Sequence, residues 1–142
     1  MQIIPCSVRD ARRLAVMNKR LIEDEKSDNP MNTDELENRM KEMLSGGYTA
    51  YRFEENGTVI GYALVRHSPK PLYLRQFYIE REFRREHYGR DAFHQLMETL
   101  QADEIDIDVL PWNKAGLSFW NSLGFSETCI SMHYRRDTQP ER

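Results

Sequence analysis

Three arginines lie close together in the segment 83–90, at positions 84, 85 and 90, between a predicted strand and a predicted helix. A helix N-terminus carries free backbone N–H groups and about half a positive charge. Guanidinium groups match the geometry of phosphate oxygens. The turn is therefore predicted to bind an anion such as a phosphate group. The alternative is a solvated basic loop whose arginines pair with neighbouring glutamates.

Carboxylates form the second group that could do chemistry. Glu23, Asp24 and Glu25 close the first predicted helix, where negative charge opposes the helix dipole. This arrangement favours a site that holds a cationic substrate, with one of the acids as a general base. The alternative is a solvated helix end paired with neighbouring basic residues. Asp108, which shares a strand face with Asp106, is a further candidate base, or simply part of a solvent-facing surface.

Candidate proton donors are tyrosine and histidine side chains, for which packing is the alternative and the more common role: Tyr78, Tyr88, His133 and Tyr134. No spacing of histidines and glutamates suits a metal site, so no metal is expected. The two cysteines, Cys6 and Cys129, are too isolated for a disulfide framework. The expected compartment is therefore the cytoplasm, with both thiols reduced.

Composition excludes several classes of protein. The 142 residues predict one domain, 1–142, with a polar tail at 137–142 that is expected to fray. Twenty basic and 23 acidic residues give a net charge of -3, which argues against a dedicated nucleic-acid binder. The longest apolar run, 62–65, is far too short to span a membrane, and the N-terminus does not resemble a signal peptide.

The first half of the chain predicts a strand, two helices and a hairpin. Ser7 and Asp10 form a capping-box pattern before a helix that runs to about Glu25. A second helix is predicted after a Thr33 cap, and Gly46-Gly47 ends it. Strands at 48–54 and 58–66 flank the turn Asn56-Gly57, the strongest hairpin signal in the chain.

The second half alternates strands and helices. A strand is predicted at 72–80, a helix ending at Leu100, a strand at 104–110, a helix at about 114–123 and one or two closing strands within 125–135. The strand–helix–strand step predicts a parallel crossover. The expected fold class is α/β (α+β), with a mixed, mostly antiparallel sheet of six to seven strands flanked by about four helices.

Two segments resemble the signatures of one enzyme family. The strand Tyr73–Ile79 and the following Arg84–Gly89 resemble the acetyl-CoA-binding motif of the GNAT N-acetyltransferase superfamily, Q/R-x-x-G-x-G/A. The stretch Val109–Phe125 resembles the family's other signature, V-x-x-x-N followed by an aromatic pair and L-G-F. The motifs stand in the family's order and on the matching elements.

The resemblance implies a role for each matching residue. Arg84 and Gly89 fall on the first and last motif positions, and the backbone of the turn would cradle the CoA pyrophosphate through Arg85, Glu86, His87, Tyr88, Gly89 and Arg90. The backbone at Phe77 and Ile79 would pair with the pantetheine arm, and a backbone N–H near Phe77 or Tyr78 would bind the oxyanion. Asn113 would contact the pantetheine or the thiol, and Phe119 and Trp120 would line the groove.

Two residues depart from the family pattern. His87 replaces the middle glycine, but histidine tolerates a positive φ better than most residues and could add a donor. Trp120 replaces the tyrosine that many family members use as a general acid, and indole is a donor that does not give up its proton in water.

The resemblance implies an N-acetyltransferase that uses acetyl-CoA to acetylate a small-molecule or protein amine that is cationic before reaction. A homodimer is possible, and neither nucleic acid nor membrane is expected as a partner. The leading alternative is a non-catalytic acyl-CoA-binding or sensing domain. A nucleic-acid-binding helix pair that uses arginines 81, 84, 85 and 90 is a third possibility, which the net acidity opposes.

Overall fold

The computed structural model describes residues 1–138. Five strands form one sheet: β1 (Gln2–Pro5), β2 (Tyr48–Glu55), β3 (Thr58–Arg66), β4 (Leu72–Ile79) and β5 (Ile105–Asp106). Four α-helices flank it: α1 (Ala11–Asp24), α2 (Thr33–Ser45), α3 (Tyr88–Leu100) and α4 (Lys114–Ser122). Short 3-10 turns cover Val8–Asp10, Arg81–Phe83 and Arg136–Thr138.

The strands lie in chain order, from β1 to β5, and all neighbours are antiparallel except the last pair. The predicted parallel step from β4 through α3 to β5 is confirmed. Asn56 and Gly57 both have positive φ, 50° and 81°, as the predicted hairpin turn requires. The expected α/β class, mixed sheet and four helices are therefore found within residues 1–138.

The expected sheet of six to seven strands is wrong, because the sheet contains five. The predicted strand at 104–110 shrinks to Ile105–Asp106, since the chain leaves β4 directly afterwards. Within 125–135 the chain forms no strand. Alternation predicted one there, but Ile130 and Met132 are 78% and 92% exposed, so no burial or neighbouring edge fixes that segment as a strand.

The ends of the helices show which capping predictions were right. Ser7 and Asp10 form the predicted capping box. The predicted Thr33 cap is wrong, since Asn32 caps α2. Its Oδ1 accepts from the backbone N–H of Glu35 at 2.8 Å, and its own backbone N–H donates to Glu35 Oε1 at 3.0 Å. An asparagine at this position competes well with threonine as an N-cap. The last four residues of the predicted frayed tail, 139–142, lie outside the described residues.

The core has a cluster on each face of the sheet. One packs α3 and α4 against residues such as Phe53, Leu74 and Ile79. The other packs α1 and α2 against Tyr62, Leu64 and others. Within residues 1–138, no helix is long and apolar enough to cross a membrane. In the same range, no group of three or more histidine, cysteine or acidic side chains is arranged to hold a metal ion.

Candidate active site

A groove of about 700 Å³ opens where β5 leaves β4. The two strands pair only at Leu72–Ile105 and Tyr73–Asp106, so the rest of β4 has no neighbour on that side. Four parts of the chain line the groove: the end of α1, the exposed edge of β4, the turn before α3, and α4 with the loop before it. An unpaired strand edge inside a groove can pair with an extended ligand as if with another strand.

The backbone of Phe77 and Ile79 faces this open edge. The Glu80 N–H donates to the Ile60 carbonyl on β3 at 2.8 Å. In an antiparallel pair the backbone groups of every second residue point to the same neighbour, so the N–H and C=O groups of Tyr78 also point toward β3. The intervening residues, Phe77 and Ile79, therefore direct their N–H and C=O groups into the groove. Arg84 Nε donates to the Ile79 carbonyl at 2.8 Å from that side, as expected for this orientation.

A β-bulge at Arg75 changes which side chains of β4 face which layer. Leu64 pairs with Gln76 and Val65 with Leu74, so Arg75 has no partner on β3. Leu74 and Phe77 consequently lie on the same face of the sheet although they are three positions apart. The bulge also leaves the Arg75 side chain on the wall of the groove.

The turn before α3 presents free backbone donors. Arg85 and His87 both have φ of 66°, in the left-handed region, which histidine enters more readily than most residues. His87 is the N-cap but makes no side-chain capping bond, so the first N–H groups of α3 have no side-chain cap. Arg85 and His87 line the groove, together with Gly89 and Arg90. These N–H groups and the helix dipole can bind an anion at this end of the groove.

The arginines around this turn differ in what they contact. Arg81 and Arg84 both bind the Asp24 carboxylate, with N–O distances of 2.7 and 2.5 Å. Arg90 reaches the carbonyl of Ser122 at 3.3 Å. The exposed Arg85 has no hydrogen bond or ion pair with any residue in the described part of the chain. Arg85 is therefore the arginine of this turn that is most available to a ligand.

Gly89 lies at a close contact between α3 and α4. A Cβ at this position would lie 3.2 and 3.3 Å from two ring atoms of Phe119 and 3.8 Å from Ile79. The two contacts with the Phe119 ring are shorter than ordinary van der Waals contacts. The motif's last glycine therefore makes space for the aromatic wall of the groove.

We expect Gly89→Val to lower the free energy of unfolding by about 1–3 kcal/mol, the usual cost of overpacking. Urea unfolding measures this change. Ala115→Val, at an exposed position on α4, is the control and should change stability by less than about 0.5 kcal/mol. Equal stability of Gly89→Val and the parent protein would show that Phe119 can move away freely.

The loop before α4 and the helix itself form the opposite wall. Asn113 caps α4 by accepting from the Gly116 N–H at 3.0 Å, and a Cβ on Gly116 would collide with the asparagine side chain. Phe119 and Trp120 both contact the Phe77 ring, with centroid distances of 6.0 and 5.2 Å. Trp120 therefore belongs to a packed aromatic wall that continues β4's apolar face.

The three acids at the end of α1 have different environments. Glu23 is exposed and lies outside the groove. Burial alone would raise the pKa of Asp24, but hydrogen bonds from Arg84 and Arg81 outweigh it, so that pKa is lowered. Burial, and then the negative charge of Asp24, raise the pKa of Glu25 above its ordinary value. Glu25 lines the groove, and its carboxylate has no hydrogen-bond or ion-pair partner among residues 1–138.

The raised pKa of Glu25 predicts a pH-dependent effect on stability. Below the ordinary pKa of 4.5 the carboxyl is neutral in both the folded and unfolded states, so it costs nothing. Above the folded-state pKa it must ionise where burial disfavours charge, and stability is lost. We expect Glu25→Gln to raise the free energy of unfolding at about pH 7.5 but not at about pH 4.

Denaturant unfolding at both pH values tests this expectation. Glu23→Gln, on the exposed neighbour, is the matched control and should have little effect at either pH. A Glu25→Gln protein that is no more stable than the parent at the higher pH would contradict the buried position of this carboxyl.

Tyr78 and Asp108 have partners within the protein. The Tyr78 hydroxyl donates to Glu80 Oε1 at 2.6 Å, and burial, followed by this bond, raises the pKa of Tyr78. Asp108 Oδ2 accepts from the Tyr73 hydroxyl at 2.8 Å. Burial and then Asp108 raise the pKa of Tyr73 to about 12. Both Tyr78 and Asp108 nevertheless line the groove.

The sequence also has a family match. The sequence model of the acetyltransferase (GNAT) family matches residues 15–125. The chain belongs to this acetyltransferase family. The match includes the open edge of β4, the turn before α3 and the α4 wall. No curated protein matches the sequence at a significant level.

Solved structures of acetyltransferases have the same fold. A possible acetyltransferase from Clostridium difficile 630 has 16% sequence identity and a TM-score of 0.75, over 95% of this chain and 96% of that chain. The aminoglycoside N-acetyltransferase AAC(6')-Iy, in complex with CoA, has 18% identity and a TM-score of 0.71, over 95% and 93%. A predicted acetyltransferase with acetyl-CoA from Clostridium acetobutylicum has 17% sequence identity and a TM-score of 0.73, over 94% of this chain and 95% of that chain.

Most residues singled out from the sequence line the one groove: Asp24, Glu25, Phe77, Tyr78, Ile79, Arg84, Arg85, His87, Gly89, Arg90, Asp108, Asn113, Phe119 and Trp120. Glu23, Glu86 and Tyr88 lie outside it, and the Tyr88 ring packs on Phe83 at 5.6 Å. His133 and Tyr134 lie in the exposed segment after α4. Sequence reasoning missed the position of Arg75 on the groove wall. The signal was the three-residue step between Leu74 and Phe77 in an otherwise alternating strand.

Proposed function

We propose that the whole chain, 1–142, is a single-domain N-acetyltransferase. It transfers the acetyl group of acetyl-CoA to a primary amine of a small molecule or protein, by direct attack in a ternary complex. The observation that carries this proposal is one groove with an anion-binding turn at one end, an unpaired strand edge along its wall, and the unpaired Glu25 carboxylate beside it. Proximity within such a groove supplies a large share of catalysis in a two-substrate reaction.

The groove fits acetyl-CoA in three respects. The first turn of α3, which has no side-chain cap, and Arg85, which has no partner among the described residues, would hold the pyrophosphate. The edge of β4 at Phe77 and Ile79 would pair with the amide-bearing pantetheine arm, and Asn113 would contact the arm near the thiol. Phe119 and Trp120 would cover its apolar side. Family structures that contain CoA or acetyl-CoA support this assignment. Acetyl-CoA supplies the activated acetyl group.

We assign the role of general base to Glu25. A lysine-type amine has a pKa of about 10.4 and reaches the groove as ammonium, so a proton must be removed before attack. Glu25 can attract this cation and accept its proton, because the carboxylate has no competing partner among residues 1–138 and burial raises its pKa. Asp24 is less suited, since Arg81 and Arg84 occupy it. Asp108 is the second choice.

We assign the stabilisation of the oxyanion to the Phe77 N–H. It faces the groove, whereas the Tyr78 N–H faces β3, so the choice between the two falls on Phe77. A backbone donor that is fixed by strand pairing costs no reorganisation during the reaction. For the attacking amine, AAC(6')-Iy supports the direct route, since it has been solved with a bisubstrate analogue that joins CoA to the acceptor, CoA-S-monomethyl-acetylneamine.

The departing thiolate has no dedicated acid in this proposal. Trp120 cannot lose its ring proton in water, and the Tyr78 hydroxyl is bound to Glu80. A thiol pKa of about 8.5 makes the thiolate a tolerable leaving group without help. Trp120 serves as a wall against Phe77 and Phe93.

We therefore expect Trp120→Phe to keep kcat within about threefold of the parent value, since an aromatic ring still fills the wall. Loss of a true general acid typically costs about 100-fold to 10,000-fold. Steady-state kinetics on the best acceptor measures the effect, with Kd for acetyl-CoA as the control. A loss in the larger range at unchanged Kd would give Trp120 a chemical role.

The alternative function is a non-catalytic domain that binds or senses acyl-CoA. Trp120 and His87 favour it, because each replaces a residue of the family pattern. A screen of amines with acetyl-CoA, read as release of free thiol, separates the two. The proposal predicts thiol release that depends on one class of amine and is about 100-fold slower in Glu25→Gln. Saturable acetyl-CoA binding without release on any small amine or amine-bearing peptide would favour the binding domain.

A further inference from the structure

Three arginines lie near one another on the face of the sheet that α1 and α2 cover, and we call them the arginine cluster: Arg39, Arg66 and Arg75. Arg66, on β3, pairs in register with Tyr48 and Tyr73, and its guanidinium lies 4.9 Å from the Tyr73 ring centre. Arg75, at the bulge, lies 5.7 Å from the Tyr48 ring centre and donates to its hydroxyl at 3.3 Å.

Arg39 joins the cluster from α2. Burial, and then the positive charge of Arg75, lower the pKa of Arg39, so the two guanidinium groups repel each other. The Tyr62 hydroxyl, which interacts electrostatically with Arg39, donates its proton to Gln76 Oε1 at 2.7 Å. Cations held this close raise each other's energy unless an anion lies between them.

The cluster has no carboxylate partner among residues 1–138. Five other arginines form ion pairs within 4.0 Å: Arg12, Arg20, Arg52, Arg81 and Arg84. None of the three cluster arginines does so with any residue from 1 to 138. Arg39 and Arg66 are half-buried, and their Nε atoms are buried without a hydrogen-bond partner among residues 1–138. Arg75 is exposed to the groove. A buried polar N–H without a partner costs free energy, which an anionic ligand beside these arginines would offset.

The position of the cluster relates it to the acceptor. Arg75 lines the groove on the same stretch of wall as Glu25, Leu74 and Asp108, whereas the anion-binding turn before α3 lies farther along the groove, beyond Ile79. Glu25 attracts an ammonium group, and Arg75 attracts an anion. One acceptor that bears both charges would satisfy both side chains.

We infer that the acceptor amine also carries an anionic group, a carboxylate or a phosphate, which Arg75 holds on the groove wall while Glu25 receives the amine, and that the positive charge of Arg39 adds to the attraction from outside the groove lining. This inference rests on the proposed function, because it names the substrate class of the same site. Guanidinium forks bind either anion through paired N–H donors. A purely polycationic acceptor would instead meet the repulsion of the arginine cluster.

Product analogues test the inference without turnover. Isothermal calorimetry on the CoA-saturated protein compares each of a panel of N-acetyl amino acids with its neutral amide, and includes N-acetyl-phosphoethanolamine as the phosphate probe. We expect at least one anionic member to bind about tenfold or more tighter than its neutral counterpart. Equal affinity across every pair would overturn the inference. Whether the carboxylate or the phosphate probe binds tighter identifies the anion.

Variants assign the preference to the cluster. Arg75→Gln should reduce the preference for the anion about tenfold and Arg39→Gln by less, whereas Arg13→Gln, at an exposed arginine on α1, should leave it intact. Arg39→Lys keeps the charge and should retain the preference, because Arg39 acts through its charge. Unchanged CoA affinity verifies the fold of each variant. A full preference in Arg75→Gln and Arg39→Gln would overturn the inference.

The inference and the proposed function can fail separately. A preference for anionic analogues together with no thiol release on any amine would leave the anion site standing and refute the transferase. Thiol release at equal kcat/KM on anionic and neutral amines would leave the transferase standing and refute the anion site.

Discussion

Glu25→Gln is expected to lower kcat/KM for the amine by about 100-fold or more, the range typical for loss of a general base. The amide keeps the shape of the side chain but cannot accept the proton. Glu25 is suited to the role because it lines the groove, has no partner within the described residues, and has a pKa that burial raises above 4.5. Steady-state kinetics with the acceptor found in the amine screen measures the change.

The controls separate catalysis from binding and folding. Kd for acetyl-CoA should stay within about twofold of the parent value, and Glu23→Gln should retain full activity. The parent rate should rise as pH increases through the raised pKa of Glu25, and this limb should be missing in Glu25→Gln. Activity within twofold of the parent in Glu25→Gln, with a large loss in Asp108→Asn, would assign the base to Asp108.

Arg85→Glu is expected to weaken acetyl-CoA binding by about 10-fold to 100-fold, the value of one or two charge-assisted hydrogen bonds. Arg85 lines the turn before α3 and is free of protein partners in the described part of the chain, so its guanidinium is available to the phosphates. The reversed charge would also repel them. Calorimetric titration with CoA at a fixed salt concentration measures the loss.

Two variants control for general effects of charge. Arg9→Glu, an exposed residue far along the chain, makes the same change in net charge and should bind CoA normally. Arg84→Gln should both weaken binding and destabilise the protein, because Arg84 also binds Asp24 and the Ile79 carbonyl. Equal Kd values for Arg85→Glu and Arg9→Glu would contradict a phosphate-binding role for the turn.

Local patterns predicted the elements that local chemistry controls. The hairpin at Asn56-Gly57 and the Ser7–Asp10 capping box depend on neighbouring residues only, and both were read from the sequence. The parallel step from β4 to β5 followed from the order of strand, helix and strand. Most candidate residues of the groove came from motifs that are continuous in the chain.

Features that depend on distant partners were not predictable. The segment after α4 alternates as a strand does, but a strand also needs a neighbouring edge, and Ile130 and Tyr134 are 78% and 67% exposed. The three acids at the end of α1 were indistinguishable in sequence. Asp24 differs from Glu25 because it forms ion pairs with Arg81 and Arg84, which follow about sixty residues later. The cluster that includes Arg39 brings together a helix and two strands and has no sequence signature.

Thermal unfolding with acetyl-CoA tests most directly the claim that the groove is an acetyl-CoA site. At 100 times its dissociation constant, a ligand that binds the folded state alone stabilises it by about 2.7 kcal/mol. For a chain of this size, that predicts a rise in Tm of roughly 5–10 °C, and Arg85→Glu should need a correspondingly higher concentration. A Tm that stays unchanged at millimolar acetyl-CoA would contradict the account.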